Sequence, residues 1–174
     1  MITKTDVEKN LKKIKQYIQE IENEVEWVDI TNKNCPTLAK YGAKPFRIMK
    51  KKMRKPGTQE VWNNINFLDA QKEAEKLGYR LPDIREILAL LEQYRTTREK
   101  RSYKNKKFLG IEELSYDENV YLEWIDCAGV AAIRGGYWGN GAVDGPFALN
   151  MYNAPSLVYT SVGFRCAWTL DSGL

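Results

Sequence analysis

Between Thr5 and Val25, apolar residues recur at Val7, Leu11, Ile14, Ile18, Ile21 and Val25, in steps that alternate between four and three positions. Such spacing draws one apolar stripe along a helix. Thr5 is placed to cap its start, and Asp6 and Glu8 suit the positive end of the helix dipole. The stripe is shorter than the roughly three or four heptads that define a coiled coil from sequence. Packing against the chain's own domain is therefore expected, with a monomer favoured and an oligomer through this helix as the alternative.

Beyond it the period shortens. Residues 26–30, EWVDI, alternate as a strand does, and FRIMKKKM from Phe46, the turn residues Pro56-Gly57 and the run from Gln59 to Trp62 predict a hairpin. A helical period follows: Phe67, Ala70, Ala74 and Leu77 share one face, and Gly78 is placed to end that helix. Pro82 suits the first turn of the next helix, whose stripe is Ile84, Ile87, Leu88 and Leu91, with Asp83 and Glu86 near its positive end. The stretch from Arg95 to Lys107 has no apolar face and predicts an exposed loop. After Tyr121 come short runs broken by glycine. Tyr121 to Ile125, Val130 to Ile133 and Gly163 to Trp168 are expected to be strands, and the long aperiodic connection among them is expected to be functional.

Composition places these elements in one globular domain: 174 residues, 43% hydrophobic and 29% charged. A chain of this length can bury a sufficient core without metals or disulfides. It contains no histidine, which excludes imidazole catalysis, His-ligated zinc and the Ser-His and Cys-His nucleophile pairs. The net charge of +4 hides two unlike parts: residues 1–110 carry 25 basic and 15 acidic side chains, residues 111–174 only 2 and 8. The later part holds 10 of the 20 aromatics and 8 of the 12 glycines, and no lysine follows Lys107, so the two parts present different surfaces. Cys35, Cys127 and Cys166 are an odd set without C-x-x-C spacing, which predicts buried thiols. No apolar run has the length of a membrane span and the start lacks a signal-peptide core, so a cytoplasmic protein is expected. The basic run of Lys50, Lys51, Lys52, Arg54 and Lys55 invites a nucleic-acid reading, against which stands a solvated edge strand whose lysines resist aggregation.

Four motifs in the later part change the picture. Arg134-Gly135-Gly136-Tyr137-Trp138-Gly139-Asn140, Phe147-Ala148-Leu149-Asn150, Asn153-Ala154-Pro155-Ser156 and Gly163-Phe164-Arg165-Cys166-Ala167 resemble the variable region of diversity-generating retroelement target proteins. The upstream run from Ala74 through Leu77-Gly78-Tyr79-Arg80-Leu81-Pro82 resembles that family's signature ahead of the variable part. The resemblance spans about residues 60–168 and implies an α+β, C-type lectin-like fold of the formylglycine-generating-enzyme type. That fold has two scaffold helices, small antiparallel sheets and long loops. Residues 1–25 would then be an added amphipathic helix, and residues 26–174 the lectin-like domain with its variable region at about 134–168.

The resemblance further implies a binding protein and no enzyme, with no cofactor and no metal. A retroelement reverse transcriptase randomises adenines in its variable codons, so that a hypervariable surface meets a protein or other macromolecular ligand. Residue by residue, the diversified positions it implies are Tyr137, Gly139, Asn140, Val143, Asp144, Met151, Tyr152, Leu157, Val158, Tyr159 and Ser161. Its fixed scaffold is Arg134, Gly135, Gly136, Trp138, Phe147, Leu149, Asn150, Pro155, Gly163, Phe164, Arg165 and Cys166.

The residue types themselves suit a binding face, since tyrosine offers stiff amphipathic contact area at small entropic cost. Trp124, Trp138, Phe147, Phe164 and Trp168 are expected in the core. Tyr152, Leu157, Val158 and Tyr159 lie among Asn, Pro and Ser and are expected at the surface. Three rival readings are weaker. A copper-dependent oxidase of the same fold needs a local pair of cysteines, whereas Cys127 and Cys166 stand 39 positions apart. A calcium lectin needs clustered carboxylates, and only Asp144 lies between Asp126 and Asp171. A nucleic-acid binder would use residues 50–55 and the basic segment 95–107.

Overall fold

Strand β1 (Trp27–Ile30) pairs antiparallel with β2 (Phe46–Met49) in the computed structural model, which describes residues 4–97, 108–112, 122–135 and 148–170. The other edge of β2 takes β7 (Ala167–Thr169), so β2 is the centre of a three-stranded antiparallel sheet. A second sheet is built on the hairpin of β3 (Leu122–Cys127) and β4 (Val130–Arg134), with β5 (Leu149–Asn150) outside β4 and β6 (Val162–Gly163) outside β3. The β3–β6 pairing is parallel, so this sheet is mixed where antiparallel sheets were expected. The fold class is α+β.

Three strand expectations need correction. The central place of β2 follows from Phe46, Ile48 and Met49, which are buried on both faces and cannot sit at an edge. The expected hairpin beyond it reduces to one bridge, Arg54 with Val61, closed over the Pro56-Gly57 turn by the 2.9 Å bond from Lys55 N to Glu60 O. Nor is the basic run an edge strand: it leaves the centre of a sheet, and Lys52 within it is buried. The single strand expected from Gly163 to Trp168 is instead two, β6 in one sheet and β7 in the other. Phe164, Arg165 and Cys166 are all buried where the chain crosses between sheets, so the alternation a single strand requires is absent.

Helix α2 (Phe67–Lys76) starts where the Asn66 side chain accepts the Asp69 N–H at 2.8 Å. It ends at Gly78, whose φ of 79° lets Leu77 and Tyr79 N–H both return to the Ala74 carbonyl. The segment that follows is stitched to both sheets. Arg80 exchanges backbone bonds with Ala167 of β7 at 3.0 and 2.7 Å, and Asp126 N of β3 donates to Pro82 O at 2.9 Å.

Helix α3 (Ile84–Thr96) opens with a capping box: Asp83 Oδ1 accepts from Arg85 N and Glu86 N, and Glu86 Oε2 accepts from Asp83 N at 2.9 Å. Pro82 therefore precedes the cap and is not in the first turn. Glu86 is turned inward to this box and to Arg80, which donates to it at 2.9 and 2.5 Å. That rotation buries Ile87, Ala89 and Leu90, leaving the expected Ile84, Leu88 and Leu91 half-buried.

Two clusters make the core. Ile30, Leu38, Phe46, Ile48, Ile87 and Leu90 fill the side toward α3 and a 3-10 helix at Pro36–Tyr41. Phe67, Ala70, Ala74, Trp124, Ile133 and Phe164 fill the space between α2 and the second sheet. Trp124 and Phe164 are fully buried as expected, whereas Trp168 is half-buried in a ring cluster with Trp27 and Tyr79. Trp138 and Phe147 lie outside the described residues.

The first helix, α1 (Lys4–Glu24), departs most from expectation. Thr5 is inside it and does not cap it. Val7, Leu11 and Ile14 are 52%, 52% and 57% exposed and do not pack against the domain, whereas Val25, just beyond the helix end, is half-buried against the second core cluster.

Asp83→Ala removes the side-chain arm of the capping box, the acceptor of the Arg85 and Glu86 N–H groups, and is expected to lower the unfolding free energy by about 1 kcal/mol. The readout is a lower urea midpoint at unchanged slope.

Candidate functional site

Glu123 heads the buried stretch of β3 that continues through Trp124 and Ile125, and the ladder places it opposite both Arg134 and Gly163. Its carboxylate is itself buried. Arg134 Nη2 donates to Oε2 at 2.5 Å, and Arg165 Nε donates to Oε1 at 2.7 Å. The other guanidinium nitrogens of Arg165 donate to the carbonyls of Met49 at 3.1 Å, Lys50 at 2.7 Å and Glu112 at 2.7 Å. Burial by itself would raise the Glu123 pKa, but the charges of Arg134, Arg165 and the buried Lys52 outweigh it and hold the carboxyl at about 2. The two arginines were expected to be scaffold. Their shared acid was missed, although a glutamate inside the otherwise apolar run YLEWI was the available signal.

Above this network β4 ends and Gly135 N–H bonds Ala148 O at 2.9 Å, bringing the chain back as β5. Residues 151–161 then form a loop fixed by its polar side chains. Asn150 Oδ1 accepts from Tyr152 N at 2.9 Å and from Asn153 Nδ2 at 3.0 Å, and Tyr159 Oη donates to Asn153 Oδ1 at 3.0 Å. The loop's backbone is tied to the entry of α2 by Phe67 N to Pro155 O at 3.1 Å, Asn64 N to Tyr159 O at 3.1 Å and Asn63 Nδ2 to Thr160 O at 2.8 Å. Ser161 O accepts from Leu122 N at 3.1 Å and passes the chain into β6.

With the backbone held, the large side chains stand free. Tyr152 is 98% exposed, and Met151, Leu157 and Val158 are exposed beside it. Of the ten exposed large hydrophobic residues described, five fall between Leu149 and Val158, which marks this segment as the apolar part of the domain's surface. Tyr159 departs from the expected surface position: it is half-buried, its ring 6.5 Å from that of Trp124. It forms a wall of an open groove of about 540 Å³ with Leu122, Ile133 and Val162 at its base and Asn150, Asn153 and Ser161 along its sides.

Tyr137, Gly139, Asn140, Val143, Asp144, Gly136 and Trp138 lie outside the described residues. So do residues 98–107 of the basic segment. In the other basic run, Lys50 Nζ is 2.7 Å from Glu26 and 3.5 Å from Glu112, Lys55 is 2.6 Å from Glu60, and Lys52 is buried. A phosphate there would compete with carboxylates already in place. Cys166 belongs to the second core cluster, where burial pushes its thiol up to about 12, while Cys127 borders the first. Among the described residues no three Cys, Asp or Glu side chains group as a metal site, and no helix is long and apolar enough to cross a membrane.

Comparison of the chain with protein-family models, curated proteins and solved structures gave no match.

The depressed Glu123 pKa makes stability pH-dependent in one direction. Its contribution is complete above the ordinary carboxyl value of 4.5 and is lost as pH falls through about 2. Urea unfolding followed from neutral pH downward should show this acid limb. Glu123→Gln should flatten it and cost about 3–5 kcal/mol at neutral pH, because two arginines lose their buried counter-charge.

Proposed function

We propose that the chain is a ligand-binding display protein on a C-type lectin-like scaffold, its surface diversified by a retroelement reverse transcriptase. The observation that carries the reading is the division of labour within residues 149–161. Asn150, Asn153 and the backbone are bonded into place, while Met151, Tyr152, Leu157 and Val158 present large side chains to solvent. Exposed side chains away from caps and buried networks can change with little effect on folding, within about 0.5 kcal/mol. A surface meant to vary needs that property, and a surface meant to bind needs apolar area with a polar surround. The groove walled by Tyr159 adds concavity for an inserted side chain of a macromolecular ligand.

Arg134 and Arg165 are the scaffold in this reading, because the loop is mounted on strands that their shared carboxylate holds together. The motif order from Arg134 to Ala167 supports the family assignment, and the α+β architecture with two helices against small sheets is compatible with it. The chain performs no catalysis in this proposal, and its partner is a protein or another macromolecule.

Sequencing the DNA around the gene tests the origin of the surface. The expected finding is a near-copy of codons 134–168 beside a reverse transcriptase gene, differing only at adenines of the copy. Those differences should fall at codons such as 152, 157 and 158 and spare 134, 150 and 165. A locus without such a copy overturns the proposal. At the protein level, Tyr152→Ala, Leu157→Ser and Val158→Ser should each leave the urea midpoint within about 0.5 kcal/mol of the parent. Asn150→Ala, which loses two accepted bonds, should cost about 1 kcal/mol or more.

A further inference from the structure

We infer that α1 is the seam of a parallel three-stranded coiled coil formed with two further copies of this chain. The steps of four and three from Val7 to Ile21 assign Val7, Ile14 and Ile21 to heptad position d and Leu11 and Ile18 to position a, while Val25, beyond the helix end, packs against the second core cluster. The flanking positions are polar or amphipathic: Glu8, Lys15 and Glu22 at e, with Asn10, Tyr17 and Glu24 at g. A helix packed on its own domain has a broader apolar face, as α3 shows with Ile84 and an unbroken apolar run from Ile87 to Leu91. A strict a/d stripe is the narrower pattern of a helix that packs only on other helices.

The fold leaves the described first half of that stripe uncovered. Val7, Leu11 and Ile14 are each more than half exposed although each is aliphatic. The helix spans 21 residues, about 31 Å at 1.5 Å per residue, and holds five a/d layers, Val7, Leu11, Ile14, Ile18 and Ile21.

Residue identity selects the number of strands. Leu11 at a with Ile14 at d, and Ile18 at a with Ile21 at d, are the combinations that shift coiled coils from two strands to three or four. Adding strands widens the buried face into e and g, and the charges of Glu8, Lys15, Glu22 and Glu24 there favour three over four. Three identical chains close by a threefold axis only when their helices run parallel. In that arrangement the g-to-e neighbours are Asn10 with Lys15 and Tyr17 with Glu22, neither a like-charge clash. A membrane surface is a poorer occupant, because the stripe is narrow, has no Trp or Phe, and the helix carries as many acids as lysines.

Sedimentation equilibrium of the full chain over a wide concentration range tests the inference. The expected limiting mass is three times the chain's 20.1 kDa. Leu11→Lys with Ile14→Lys should remain at the single-chain mass with an unchanged melting curve, since both side chains are exposed in the folded chain. A second variant, Leu11→Ile with Ile14→Leu and Ile21→Leu, places Ile at a and Leu at d and should move the mass to two chains. A parent that stays at one chain, or reaches two, overturns the inference, as does a lysine variant that still assembles. These outcomes are independent of whether the loop at 151–158 binds a ligand.

Discussion

One buried carboxylate holds the two halves of this domain in register. Glu123 belongs to the second sheet, yet Arg165, which it grips, lies where the chain crosses to the first, and Arg165 also bonds the carbonyls at the end of β2 and in the segment around Glu112. Arg134 closes the other side from β4. Taking these charges out of water is costly, and an apolar replacement of equal volume could give as much stability. What an apolar cluster could not supply is direction. Each guanidinium nitrogen donates along a fixed bearing, and together these bonds tie the crossing at residues 164–166 and the end of β2 to the β3–β4 ladder.

That constraint explains why the loop at 151–161 can be irregular without being loose. Its two ends are β5, paired to the strand that carries Arg134, and β6, paired to the strand that carries Glu123. The network therefore fixes the loop's feet, and the bonds among Asn150, Asn153 and Tyr159 fix its course between them. Apolar side chains on such a loop do not have to fold it. They are available for contact, at the expense of leaving hydrophobic area in water.

The elements most legible in the sequence were those whose determinants are local. Gly78 ends the first of the two scaffold helices, as its placement predicts, and both helices lie where the 3.6-residue period places them, although their caps, Asn66 and Asp83, emerged only from the structure. The buried face of α3 was misjudged because Glu86 behaves as a core residue, and its inward turn depends on Arg80 and the capping box together. The division of residues 162–169 between two sheets was likewise hidden: it follows from long-range pairings to β3 and β2, which no short window contains. In the candidate site, Tyr152, Leu157 and Val158 were legible as surface because their neighbours are turn formers. Tyr159 shares that local context, but the position of Trp124 in β3 draws its ring inward.

The contrast between charge in sequence and charge in space has a consequence for how this molecule meets partners. The lysine-rich first part reads as a polycation, yet within its run at 50–55 Lys50 and Lys55 are each engaged by a glutamate and Lys52 is buried, so that run presents less free charge than its sequence suggests. What the described surface offers instead is apolar, in two places: the stripe on α1 and the loop from Leu149 to Val158. An open groove of this size with a few exposed side chains around it buries modest area against one partner, and area alone does not secure tight binding. Joining three copies through α1 leaves each loop unchanged but makes second and third contacts with a repetitive ligand intramolecular, which strengthens attachment without any new side-chain contact. For a surface diversified as proposed, this matters physically: avidity lowers the affinity each individual variant must reach, so more of the sequences that the scaffold tolerates can also bind.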